Sequence, residues 1–280
     1  MTYVIAEPGS THDGSLEAML GLVGLAKQIG ADAVKFQWLS KAERLCARRR
    51  APEYLDAYRT IQFPAAWLAT LRVACEAHDI DFMCTSYLPE DVHVVLPLVV
   101  AGKIASFEAS DPHFLALHAE WRKPVYVSTG MLATKAIADL GAVARRHFDE
   151  PSDVKFLHCV SAYPAPAEQM NLAVFRPRFY DAIRVDYEGL SDHSLHPWTG
   201  ALAVAAGARV IEFHLRADDC DPANADYAVS RPPEAAREYV ANIRLAETML
   251  GDGAKRIMSA EEPWLRYAVP AASRGNTAAS

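Results

Sequence analysis

The chain has 280 residues, 51% of them hydrophobic, enough to bury a sizeable core in one α/β domain or two smaller ones. A formal net charge of -7 argues against a sequence-independent grip on nucleic acid, and no apolar run reaches membrane-spanning length. Five scattered cysteines (Cys46, Cys75, Cys84, Cys159, Cys220) without CxxC spacing read as reduced thiols, and the start on strand-like TYVIAE lacks a secretion signal, so the expectation is a cytoplasmic protein.

In chain order, a strand at Tyr3–Ala6 leads to a helix over SLEAMLGLVGLAKQIG, capped by Ser15 and ended by Gly30. A strand at Ala33–Gln37 follows. The run Arg48, Arg49, Arg50 reads as a solvated face, with a phosphate or partner patch as the alternative. A helix over PAAWLATLRVACEAHD begins with Pro64 in its first turn. Strands at Asp81–Ser86, Lys103–Ser106 and Pro124–Thr129 come next, then a helix capped by Thr134, then strands at Val154–Val160, Ile183–Leu190 and Arg209–Leu215. Pro232 and Pro233 open the last helix. About eight buried strands alternating with helices predict a (β/α)8 TIM barrel, whose usual length is about 250 residues. One barrel is expected over residues 1–262, followed by a tail, 263–280, that is partly disordered.

In such a barrel the C-terminal strand ends form the active face. Polar residues recur there: Glu7; Lys35 with Gln37; Thr85 with Ser86; Ser106 with Glu108; Ser128 with Thr129; Ser161 with Tyr163; Ser191 with Asp192 and His193; Glu212 with His214. A lone Ser or Thr is a hydrogen-bonded turn residue, but the joint pattern is harder to explain that way. Lys35 lies inside a strand between Val34 and Phe36, where an unpaired ammonium is expensive. It is either half of an interior salt bridge with Glu7 or an anion-binding group. With Lys103 it suits a ligand carrying a phosphate, a carboxylate or both.

His193 and His214 come from the last two strands, which lie only ~4.8 Å apart in a sheet. Two imidazoles with water and substrate oxygens suit Mn, Fe, Co or Zn better than Mg or Ca, and leave the metal open as a Lewis acid needs. Asp192 and Glu212 are candidate partners that orient these ligands. His12, in THDG, contacts substrate or belongs to an Asp-Gly turn. Nothing beside Cys159 in sequence activates a thiolate, so it reads as packing.

The motifs IAEPGSTHDGS, ADAVKFQ, KIASFEASD, VYVSTGM, LHCVSAYPAP, GLSDHS and VIEFHL resemble, in order and spacing, those of the N-acetylneuraminate (sialic acid) synthase family, from Tyr3 to about Glu262. The resemblance implies a barrel that condenses phosphoenolpyruvate with the open-chain aldehyde of an amino sugar, aided by a divalent metal, commonly Mn, with Mg, Co or Zn as alternatives. It places Lys35, Thr85, Lys103, Ser106, Ser128, Ser161 and Ser191 around phosphoenolpyruvate and puts the metal on His193 and His214. Glu7, Gln37, Tyr163 and Asp226 fall on acceptor-sugar positions, Glu108 on a catalytic carboxylate, and Glu7 and Lys35 also on catalytic ones.

Three features depart from the family pattern: THDG replaces NHNG, Phe213 and Leu215 replace a lysine and an aromatic, and Ser161 stands where some members have Asn. Typical members also continue into a small antifreeze-like domain, so a separate polypeptide supplying that cap and a homodimer are both expectations drawn from relatives. The rival functions are a metal-dependent sugar aldolase or isomerase on the same barrel, and a non-catalytic sugar-binding subunit.

Overall fold

The computed structural model describes residues 1–176 and 185–268. Among the described residues, eight parallel strands alternate with helices: β1 (Tyr3–Gly9), β2 (Ala33–Trp38), β3 (Asp81–Ser86), β4 (Gly102–Ile104), β5 (Val125–Ser128), β6 (Val154–Cys159), β7 (Tyr187–Asp192) and β8 (Val210–His214). Their order in the sheet, β3-β2-β1-β8-β7-β6-β5-β4, brings two strands consecutive in the chain to its two ends. There the barrel nearly closes, with Val100 N donating to Phe82 O at 3.1 Å. The fold is the expected TIM barrel.

Side chains alternate across each strand, so one set faces the barrel axis and the other faces the helices. The inward set begins apolar: Ile5, Ala33, Met83, Tyr126, Leu157 and Val210 form one buried cluster. Two residues further along, the same face turns polar with Glu7, Lys35, Thr85, Ser128, Ser191 and Glu212, all buried. The outward set, including Val34, Phe36, Phe82, Val127, Ile211 and Phe213, packs with α1 (Leu16–Gln28), α4 (Ala66–Ala77), α6 (Pro112–Ala119) and α7 (Thr134–His147) into the main core.

Local signals explain most helix ends. Ser15 accepts from Ala18 N, and Gly30 adopts φ 86° after the cap of α1. Pro233 opens α9 (Pro233–Leu250). Two readings are corrected. Thr134 is the first residue of α7 rather than its cap; the cap is Ala133, whose side chain cannot accept. Pro64 precedes α4 by two residues and contributes its carbonyl to Trp67 N. Between β2 and α4, where the sequence reading places no element, lie α2 (Ala42–Arg49), a 3-10 turn at Pro52–Tyr54 and α3 (Leu55–Thr60). Leu39, Ala42, Leu45, Ile61, Tyr87 and Leu88 give this connection its own small core. The helices α5 (Pro89–Val95) and α8 (Thr199–Ala206) complete the shell among the described residues.

The expected strand at Ile183–Leu190 begins at Tyr187; Ile183 and Arg184 lie outside the described residues. One compact unit spans Met1–Met249 and a second Leu250–Ser280. Within the second, residues Ser259–Tyr267 form 3-10 turns, and the part of the expected tail from residue 269 lies outside the described residues. Among the described residues no helix is long and apolar enough to cross a membrane.

Candidate active site

The polar inward layer opens into a cavity of about 430 Å³ at the C-terminal ends of the strands. Its floor is a set of buried charges in mutual contact. Lys35 Nζ lies 2.6 Å from Glu7 Oε1 and 3.6 Å from Glu212 Oε2, and donates to Thr85 Oγ1 at 3.0 Å. Lys103 Nζ donates to Ser128 Oγ at 2.9 Å and lies 3.4 Å from Glu212 Oε1, which accepts from Ser191 Oγ at 2.9 Å. Both readings of Lys35 are therefore present together, an interior ion pair and a cation on the cavity wall. Burial alone would raise the Glu7 pKa, but Lys35, with His214 and Lys103, holds its carboxyl well below the usual range. Burial likewise opposes the Lys35 ammonium, yet Glu212 and Glu7 raise its pKa.

The two histidines meet beside this floor, ring centroids 5.4 Å apart. His193 Nδ1 donates to Val160 O at 2.9 Å, which leaves Nε2 as the free nitrogen; His214 Nδ1 is buried without a partner, and its Nε2 lies 3.8 Å from Glu7 Oε2. Burial lowers the His214 pKa, with Glu7 opposing. Burial also works against a charged His193, but Cys159, 3.7 Å away, and the Val160 carbonyl raise its pKa to about 9. Neutral imidazole pairs are metal ligands, so a cation would displace the His193 proton. Among the described residues no three His, Cys, Asp or Glu side chains converge as a complete ligand set. The donor set therefore fits a cation whose remaining positions are filled by substrate or water oxygens.

The expected helpers of this pair act elsewhere. Asp192 points outward, accepting from Tyr239 OH at 2.6 Å, Arg231 Nη2 at 3.1 Å and Ser194 N at 2.8 Å. Glu212 serves the lysines. Cys159 is not inert packing: it contacts His193 and Ser106 Oγ, at 3.5 Å, and although burial raises a thiol pKa, His193 brings it below its usual value. Phe213 faces away, its ring 5.0 Å from Tyr239, so its departure from the family's lysine does not touch the cavity. His12 is fully buried between Phe36 and Phe63, and Gly14 N donates to its Nδ1, so it holds the turn.

Of the residues expected to surround a phosphorylated donor, Lys35, Thr85, Lys103, Ser106, Ser128 and Ser191 line the cavity. Ser161 does not; its hydroxyl is buried without a partner against Gly130, where any Cβ would overlap it. Gly130 N instead donates to Ser106 Oγ at 3.1 Å. Glu7, Gln37, Tyr163 and Asp226 also line the cavity, Gln37 Nε2 donating to Glu7 Oε1 at 2.8 Å. Asp226 Oδ2 accepts from Ser10 N at 2.8 Å and Ser10 Oγ at 2.7 Å. Gly9, at φ 57°, leaves room for that carboxylate, which a Cβ would meet.

Glu108 sits behind the wall, 2% exposed. Arg49, which does line the cavity, grips it in a fork: Nε donates to Oε1 and Nη2 to Oε2, each at 2.8 Å. Burial raises the Glu108 pKa, with Arg49 opposing. Beside it Arg48 Nη2 donates to Asp111 Oδ2 at 2.7 Å and lies over Phe114. Two of the three consecutive arginines are thus committed to ion pairs. Arg49, Tyr54, Tyr58 and Phe107 are cavity residues that the sequence reading did not single out as such; the only signal was the basic run itself.

A model of the NeuB family matches residues 22–255. The chain is 31% identical over 267 residues to the pseudaminic acid synthase of Campylobacter jejuni, spanning 90% of this chain and 75% of that one. It is 32% identical over 276 residues to the N,N'-diacetyllegionaminic acid synthase of Legionella pneumophila, spanning 93% and 76%. Among solved structures it resembles the N-acetylneuraminic acid (sialic acid) synthetase of Leptospira borgpetersenii, with a TM-score of 0.82 at 24% identity over 95% of this chain and 90% of that one. It also resembles the spore coat polysaccharide biosynthesis protein SpsE of Bacillus subtilis, at 0.77 and 29% over 92% and 72%.

Proposed function

Since the chain belongs to the NeuB family, we propose that it condenses phosphoenolpyruvate and an aldose, with water, into a 3-deoxy-2-ketoaldonic acid and inorganic phosphate. The observation that carries this reading is the floor of the cavity. Two buried lysines from separate strands, Lys35 and Lys103, are ringed by the hydroxyls of Thr85, Ser106, Ser128 and Ser191. A small ligand with both a carboxylate and a phosphate uses two cations and a ring of donors; a sugar aldolase or isomerase has no need of both.

In this reading the lysines hold the donor anion, and the hydroxyls fix its orientation against the aldehyde. The enol carbon forms a bond to the aldehyde carbon, whose oxygen gains a proton. Water then adds at the phosphate-bearing carbon, and that C–O bond breaks to release phosphate and leave the ketone. Fixed charge and orientation supply much of the rate, because the floor is buried and pre-paired before substrate arrives. His193 and His214 would hold a divalent cation such as Mn, which when bound supplies Lewis acidity towards a carbonyl oxygen. Glu7, Gln37, Tyr163 and Asp226 face the acceptor.

The test is phosphate release from phosphoenolpyruvate with Mn and a panel of aldoses, followed by mass analysis of the product. Release that depends on an aldose, with a product heavier than that sugar by the pyruvyl unit, supports the reading. Sugar isomerisation without phosphate release would replace it with the isomerase alternative.

A further inference from the structure

We propose that Arg49 is the group that meets the acceptor at the outer end of the cavity, that Glu108 acts through it as its anchor, and that the acceptor selected is an uncharged aldose. This rests on the reaction proposed above. The geometry starts from the turn after β4. Glu108 N donates to Ala105 O at 3.0 Å, and this tight turn puts Phe107 on the wall and Glu108 behind it. What the cavity meets is the guanidinium in front. Arg49 is flanked by the rings of Phe107, Tyr87 and Tyr58 at 4.7, 5.0 and 5.4 Å. A planar group held by a carboxylate fork and three rings has little freedom left, so its remaining donors are fixed in direction. Nη1 bonds Tyr58 OH at 3.2 Å and keeps one N–H with no protein partner among the described residues.

Charge decides what that donor suits. Glu108 neutralises Arg49, and Lys35 neutralises Glu7. Asp226 lines the same space with no cation beside it among the described residues. Apart from Arg49, the lysines and arginines on the wall are Lys35 and Lys103, on the floor. A phosphate carried by the acceptor would meet a compensated arginine and an uncompensated carboxylate, whereas a hydroxyl or acyl oxygen meets a well-placed donor. The aromatic rings offer faces to the apolar side of a sugar ring.

The experiment reads Arg49 directly. Spectra of the full chain carrying 15N-arginine, with the Arg49 Nε–H signal assigned through Arg49→Lys, are recorded with phosphoenolpyruvate present. An N-acetylhexosamine, an unsubstituted hexose and the 6-phosphate of each are added in turn. A neutral sugar should move the signal, and its 6-phosphate should need roughly tenfold more to do so. No movement with any of them, or preference for a phosphate, overturns the proposal. In turnover, Arg49→Gln should raise the aldose KM about tenfold and leave the phosphoenolpyruvate KM unchanged, and adding Glu108→Gln should cost little more. Glu108→Gln alone losing ~100-fold in kcat while Arg49→Gln loses little would make Glu108 itself the proton acceptor and overturn the anchoring role. A wild-type chain that releases no phosphate, yet whose Arg49 signal responds to a neutral sugar, sinks the reaction and keeps the contact.

Discussion

The floor of the cavity and its outer wall are built in different ways. The floor comes from strand residues whose direction follows from alternation and from hydrogen-bonded register: Glu7 opposite His214, Lys35 opposite Met83, Ser191 opposite Glu212. The wall comes from α2, α3 and the turn after β4, where Arg49, Tyr58 and Phe107 are placed by packing and ion pairs. A floor of this kind fixes the part of the chemistry shared by every acceptor. A wall made of connections can change without disturbing the register beneath it.

Replacing Lys35 by Met should be the most damaging change to the floor, because Glu7 and Glu212 would lose a cation inside the barrel. A loss of about 3–5 kcal/mol in denaturant unfolding is expected; a loss below ~1 kcal/mol would show that Lys103 suffices, and the contrast with the wall would narrow.

Acidification comes next. Burial lowers the pKa of His118, beside Gly102 at the start of β4, and of His12, at the turn after β1, each to about 4. Both stay neutral in the folded chain while the unfolded chain takes up protons below its pKa near 6.5. Stability should therefore fall as pH drops from about 6.5 towards 4, by up to roughly 3 kcal/mol for each group. Thermal unfolding across that window checks the sign, and His118→Gln should flatten the slope by about half.

His214→Ala should weaken Mn binding, measured by calorimetry, by at least ~100-fold. Unchanged affinity would remove the histidine pair from the metal proposal and leave the floor as an anion site alone. Smallest of all, Tyr58→Phe removes only the hydroxyl that accepts from Arg49. It should cost about 1 kcal/mol, seen as a severalfold rise in the aldose KM with folding stability unchanged. A large loss of stability instead would mean that the wall supports the floor.

The same division governs what could be read in advance. Strand alternation made Lys35, Thr85, Ser128 and His214 legible, because a polar residue in a buried strand can face only the axis or the helices. It also explains Phe213, one residue before His214, which belongs to the outer set and packs on Tyr239. Ser161 and Glu108 lie beyond the strand ends, where alternation no longer sets direction, and neither reaches the wall. Arg49 carried no local sign of its role. Its meaning comes from α2 folding against a loop about sixty residues further on, a fact of tertiary structure that composition and period do not contain.

The near-closure of the barrel gives the two arginines a mechanical meaning. The sheet ends at β3 and β4, which share no ladder among the described residues, and α2 follows β2 on one side of that seam while Glu108 and Asp111 follow β4 on the other. Arg48–Asp111 and Arg49–Glu108 therefore act as a buckle across the one place where the cylinder is open. A sugar that draws on Arg49 also pulls on the buckle, so the stiffness of the whole cylinder becomes something the acceptor can tune.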